Sequence, residues 1–110
     1  MLAARERLSR ERIGELMKAG RPVTAAFFDI RTLPNTSVRG AVVVSKKVAH
    51  TSVGRHKMKR RVYSALRAIR PQIEASDILI IVKKTAKPPT VAEYKGALML
   101  RLRVKNTSKV

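Results

Sequence analysis

The chain has 110 residues, 45% of them apolar but only 4% aromatic. That is enough for one modest core of Val, Ile, Leu, Ala and Met, and it excludes a disordered chain. Twenty-five Lys and Arg against seven Asp and Glu give a net charge of +18, and there is no cysteine; the charge calls for a polyanionic partner, and the lack of thiols removes disulfides, thiolate metal sites and thiol nucleophiles together.

Ser9 is placed to cap a helix over residues 10–19, in which Ile13, Leu16 and Met17 form a narrow apolar stripe that ends at Gly20. Pro22 opens an extended stretch over residues 23–31, one strand or two with a bend, which carries both Phe residues, Phe27 and Phe28. Pro34 and Asn35 mark residues 33–37 as a turn, and residues 40–45, Gly-Ala-Val-Val-Val-Ser, are apolar on both faces and predict a central strand. A polar loop over residues 46–54 leads to a second helix at 55–70, with Met58, Val62, Ala65, Leu66 and Ile69 on one side and a stop at Pro71. The unbroken apolar block within residues 77–82 predicts another central strand. Beyond a basic loop, Thr90 and Glu93 form a capping box ahead of a third helix carrying Tyr94, Ala97, Leu98, Arg101 and Leu102, followed by a basic flexible tail from about residue 105. This order predicts one α+β domain over residues 1–110, a sandwich of helices on a single sheet.

The second helix carries the functional signal. His56, Arg60, Tyr63 and Arg67 recur at i, i+4, i+7 and i+11 opposite the apolar side, flanked by Lys57, Lys59, Arg61 and Arg70, and residues 55–70 contain no acid to relieve their repulsion. Lys46 and Lys47 extend the patch near the entrance of the helix, where the helix dipole also favours phosphate. The stripe lacks the Asn or Gln base readers that a DNA recognition helix would present, so no DNA partner is expected. No long apolar span or lipidation box occurs, so no membrane partner is expected either. Residues 1–12 lack the apolar stretch of a secretion signal, which makes the cytoplasm the expected location. His50 and His56 have neither the spacing nor the companions of a metal site. The carboxylates Glu6, Glu11, Glu15, Asp29, Glu74, Asp77 and Glu93 are scattered without a pairing motif, so a self-sufficient enzyme is not expected.

Val44-Ser45-Lys46-Lys47-Val48, then Arg55-His56-Lys57-Met58-Lys59-Arg60-Arg61-Val62 and Ala65-Leu66-Arg67, resembles the signature of the bacterial ribonuclease P protein family, V-S-K-K-V, a short loop, then R-N-R-x-K-R-x-x-R-E-x-[FL]-R. His56 stands for the family's Asn, Lys57 for an Arg, and Tyr63-Ser64 for an Arg-Glu pair, while Gly54 lengthens the loop by one. The resemblance implies an α-β-β-β-α-β-α order with a left-handed β-α-β crossover around the second helix. It also implies a role as the accessory protein of an endoribonuclease that removes the 5′ leader of precursor tRNA, with catalysis and most of the Mg²⁺ in the RNA subunit. The implied partners are that RNA, one protein to one RNA, and precursor tRNA. The implied RNA-subunit contacts are Lys46, Lys47, Arg55, His56, Lys57, Lys59, Arg60 and Arg67, and the leader-cleft candidates are Ile13, Met17, Phe27 and Phe28, with core packing the more frequent fate of each Phe. A ribosomal or other structural RNA-binding protein is the alternative, and an enzyme with a dispersed active site is a further one.

Overall fold

A computed structural model describes residues 7–85 and 87–102; the basic tail expected from about residue 105 lies outside them. In chain order the elements are α1 (Arg10–Ala19), β1 (Arg21–Thr24), β2 (Phe28–Pro34), β3 (Arg39–Val43), α2 (Ser52–Ile69), β4 (Ser76–Val82) and α3 (Val91–Arg101). This α+β order is the one the family resemblance implies. The strands form one sheet in the order β1-β2-β4-β3. β1 and β2 pair antiparallel, as do β2 and β4, whereas β3 and β4 are parallel, with α2 as the crossover between them.

Local chemistry accounts for most boundaries. The Ser9 hydroxyl accepts from the Arg12 N–H at the start of α1, and Thr90 and Glu93 close the expected capping box at the start of α3. α2 begins at Ser52, three residues before the sequence-based start, because the Thr51 hydroxyl accepts from the Gly54 N–H and makes a cap there. The extended stretch at 23–31 is two strands joined by a tight reversal, in which the Ala25 N–H donates to the Phe28 carbonyl at 3.0 Å. β2 continues through Leu33 and Pro34, expected to be a turn; Pro34, which has no N–H to give, pairs with Ser76 as the last residue of the strand.

Pleat alternation divides the core. Phe28, Ile30, Val42, Ile78, Ile80 and Val82 face α2 and α3, where they meet Met58, Val62, Ala65, Leu66, Ile69, Tyr94 and Leu98. Leu16 of α1 packs on Ala41 and Leu79 on the opposite face, bordered by Ile13, Leu33 and Ile81. Gly20 lets the end of α1 come down on the sheet, since a Cβ there would lie 2.4 Å from the Leu16 carbonyl oxygen and 3.1 Å from the Arg31 Cβ.

Two further expectations are corrected. β3 is an edge strand, not a central one: Gly40, Ala41 and Val42 are buried because helices cover both faces, so their apolar pattern matches that of an interior strand. Tyr63 is buried rather than displayed on the outer stripe of α2, and its hydroxyl accepts from the Val42 N–H at 3.2 Å. On the same open edge the Leu8 N–H donates to the Gly40 carbonyl at 3.3 Å. Both bonds occupy edge groups that would otherwise invite pairing with another chain.

Tyr63→Phe removes only that hydroxyl and leaves the Val42 N–H buried without an acceptor. Urea unfolding is expected to show a loss of about 1–3 kcal/mol with an unchanged denaturant slope, together with faster hydrogen exchange at the Val42 amide. Wild-type stability would remove the hydroxyl from the account of the edge.

Candidate nucleic-acid interface

The apolar side of α2 is fixed on the sheet, so the opposite side must face outward. His56, Arg60 and Arg67 lie there within a narrow arc about 16 Å long; all three are exposed and make no hydrogen bond or ion pair among the described residues. Lys57 is exposed on the flank and Lys59 is half-buried on the other. Lys46 and Lys47 occupy an exposed turn after β3, closed by bonds from the Val48 and Ala49 N–H groups to the Ser45 carbonyl at 3.1 and 3.2 Å. The parallel crossover places this turn, the carboxyl ends of β3 and β4 and the amino end of α2 at one end of the molecule.

Three cations of the sequence pattern, Arg55, Arg61 and Arg70, are turned to backbone carbonyls, Arg70 to that of Val38 at 3.2 Å. The Arg55 Nη1 donates to the Ala49 and His50 carbonyls at 3.1 and 3.0 Å and its Nη2 to the Ser52 hydroxyl at 3.2 Å, so Arg55 ties the loop to the helix. The Arg61 Nη1 donates to the Pro89 carbonyl at 3.3 Å, joining α2 to the segment before α3. With Tyr63 also buried, the outer stripe reduces to His56, Arg60 and Arg67.

A second exposed area lies on the α1 face of the sheet. Beyond the rung formed by Ala41, Leu79 and Arg31, the next rung of Val43, Ile81 and Asp29 is left partly open, with Val43 41% exposed. Ile13 and Met17 of α1 belong to this face; Ile13 is half-buried and Met17 is 47% exposed. Lys83 stands at its end, 3.4 Å from Asp29 and donating to the Ala25 carbonyl at 3.1 Å. The Phe residues are elsewhere. Phe28 is 0% exposed and stacks on Tyr94 with ring centroids 5.9 Å apart, and Phe27 meets both rings edge-on. Phe28 therefore leaves the leader-cleft candidates, and Phe27 belongs to the α3 side of the sheet; consecutive strand residues point to opposite faces, but the reversal at Phe27 turns its ring into the same cluster.

What holds α1 over this face is a polar anchor that no motif marks. Asp77, 1% exposed, accepts from the Arg12 Nε and, at 2.9 Å, from the Asn35 side-chain amide. Arg12 also donates to Glu15 at 2.9 Å and to the Pro34 carbonyl at 3.4 Å. The hydrogen bond that Arg12 donates to Asp77, ahead of the weaker Glu15 contact, raises the Arg12 guanidinium above its ordinary range. Asp77 and Asp29 thus have cationic partners, and among the described residues no three His, Asp or Glu side chains gather as a metal site would require. These donors do not fit a Mg²⁺ site.

The sequence profile of the family described as Ribonuclease P matches residues 2–103. The chain is similar to the ribonuclease P protein component of Xylella fastidiosa, 32% identical over 85 residues, 76% of this chain and 63% of that protein. It is similar to the corresponding component of Lactobacillus gasseri at 30% identity over 94 residues, 82% of this chain and 77% of that one. Among solved structures, the RNase P protein of Staphylococcus aureus superposes with a TM-score of 0.74 at 26% identity, covering 86% of this chain and 90% of its own. The RNase P protein of Thermotoga maritima superposes at 0.75 and 23% identity, covering 86% and 93%, a likeness of fold.

Asp77→Asn keeps the size of the side chain and removes its charge. Amide exchange within α1 is expected to quicken by about tenfold or more, while the β2–β4 ladder stays protected. Uniform loss of protection across the sheet, or none in α1, would deny Asp77 its role as the anchor of that helix.

Proposed function

The chain belongs to the Ribonuclease P family, and from that premise we propose that it is the protein subunit of a ribonuclease P that removes the 5′ leader of precursor tRNA in the cytoplasm, one protein bound to one catalytic RNA. The observation that carries this reading is the acid-free stripe of His56, Arg60 and Arg67 on α2, exposed and without partners among the described residues, with Lys46, Lys47 and Lys57 beside it. Arg guanidinium forks and Lys ammonium groups in that array suit the phosphates of a folded RNA and set affinity rather than sequence preference.

The single-stranded leader is assigned to the open rung beside α1. Val43, Ile81, Ile13 and Met17 provide aliphatic contact there, and Lys83 a positive charge. No aromatic ring lies on that face among the described residues, so the grip on the leader depends on charge and apolar contact more than on base stacking. The Mg²⁺ chemistry of phosphodiester hydrolysis is assigned to the RNA subunit. The protein's part is to hold phosphates, and with them the leader, where the RNA can act.

The test is precursor tRNA incubated in low Mg²⁺ with a bacterial ribonuclease P RNA, with and without the protein. Leader release is expected to depend on both components and to be absent with protein alone. Replacing Arg60 and Arg67 by Ala is expected to weaken RNA binding and to reduce the slope of log K against log[salt] by about two. Leader release indifferent to the protein would return the chain to the class of structural RNA-binding proteins; cleavage by protein alone would make it an enzyme in its own right.

A further inference from the structure

Beside the cationic stripe, at the amino end of α2, lies a cavity of about 210 Å³. Val48, Ala49, Met58 and Pro88 supply apolar walls, and among the described residues the only ionisable groups lining it are the cations Lys57 and Arg61. Both sides are fixed by bonds already described. Arg55 holds the 49–52 loop against α2, and Arg61 holds the segment before α3 through the Pro89 carbonyl. The cavity is therefore preformed, and an occupant need not order its walls.

We propose that this cavity receives one unstacked base of the RNA bound along α2, with the adjoining phosphate on Lys57. The proposal rests on the RNA-binding role given above and adds to it a site for a nucleotide. Three features select this occupant. The apolar walls and the volume suit a flat heterocycle, purine or pyrimidine. The positive lining suits a group joined to a phosphate, and α2 offers no acid to oppose it. Lys57 is shared between the cavity and the flank of the stripe, next to His56 and three residues from Arg60, so a strand on the stripe passes the cavity mouth. Splayed bases of single-stranded or bulged RNA are the usual targets of such pockets, and contact with aliphatic walls tolerates any base. All four aromatic rings are engaged in the interior, so this cavity is where the protein can shelter a base without one.

Ala49→Leu fills the cavity and replaces no cation. With a bacterial ribonuclease P RNA as probe, binding is expected to weaken by about tenfold at every salt concentration with an unchanged salt slope, because a base contact is lost and no phosphate contact is. Lys57→Ala, by contrast, lowers the slope. Wild-type affinity in a folded Ala49→Leu variant overturns the proposal. A second measurement is independent of that variant's folding: the chain has no cysteine, so Pro88→Cys carries one photoreactive aryl azide at the cavity rim. Cross-links confined to one or two neighbouring nucleotides support the proposal, and cross-links scattered along the RNA overturn it. If the wild-type chain fails to bind the RNA at all, the subunit assignment itself falls; retained binding with a dispensable cavity removes only the nucleotide site.

Discussion

The parallel pairing of β3 with β4 governs the rest of the molecule. Parallel neighbours need a long connection, and α2 supplies it. The amino end of that helix must then lie where β3 and β4 end, which brings Lys46, Lys47, the open rung at Val43 and Ile81, Lys83 and the cavity beside Met58 to one end of the fold. Ligand sites in sheets with parallel strands gather at carboxyl ends for the same topological reason. Burial of Met58, Val62, Ala65, Leu66 and Ile69 then sets the roll of α2, so the outward direction of Arg60 and Arg67 follows from core packing as much as from their own charge.

Scarcity of aromatic residues shapes how this surface can recognise RNA. Phe27, Phe28 and Tyr94 form one cluster between the β1–β2 reversal and α3, and Tyr63 closes the β3 edge. Under the proposed role, recognition rests on charge and aliphatic contact, which favours a sequence-tolerant grip. The same chain carries far more positive than negative charge, and among the described residues only Glu15, Asp29 and Asp77 form ion pairs. An external polyanion would relieve that self-repulsion, and binding one would stabilise the folded state by linkage.

Residues whose role is local were legible in the sequence. Ser9, Gly20, Pro71 and the Thr90–Glu93 box bound their helices as expected, and each acts within four residues along the chain. Roles that depend on distant partners were not legible. Asp77 reads as one scattered carboxylate until the fold brings Arg12 to it from 65 residues away. Tyr63 falls on the outer side of an ideal helical wheel, but its ring is long enough to reach across the flank of α2 to Val42, a bond that periodicity cannot foresee because it belongs to the sheet edge. β3 read as central because β-branched residues on two covered faces look alike at an edge and in the interior. Five of the six buried residues of α2, all but Tyr63, were visible because helical period and burial coincide.

The arginines show why charge alone overstates the RNA footprint. Arg12, Arg31, Arg55, Arg61 and Arg70 each donate to a backbone carbonyl, respectively those of Pro34, Met17, Ala49 with His50, Pro89 and Val38. Each of these bonds joins a helix or strand to a loop or to the end of another element. A planar guanidinium with five donors can serve a carbonyl while keeping its charge, which a Lys ammonium does with less directional control. The basic composition therefore has two uses in one chain. One set of arginines ties loops and the ends of elements to their neighbours, and a smaller set, centred on Arg60 and Arg67 with Lys46, Lys47 and Lys57, stays exposed and without partners among the described residues, as the proposed phosphate contacts require. The number of counterions released on binding should follow this smaller set rather than the net charge.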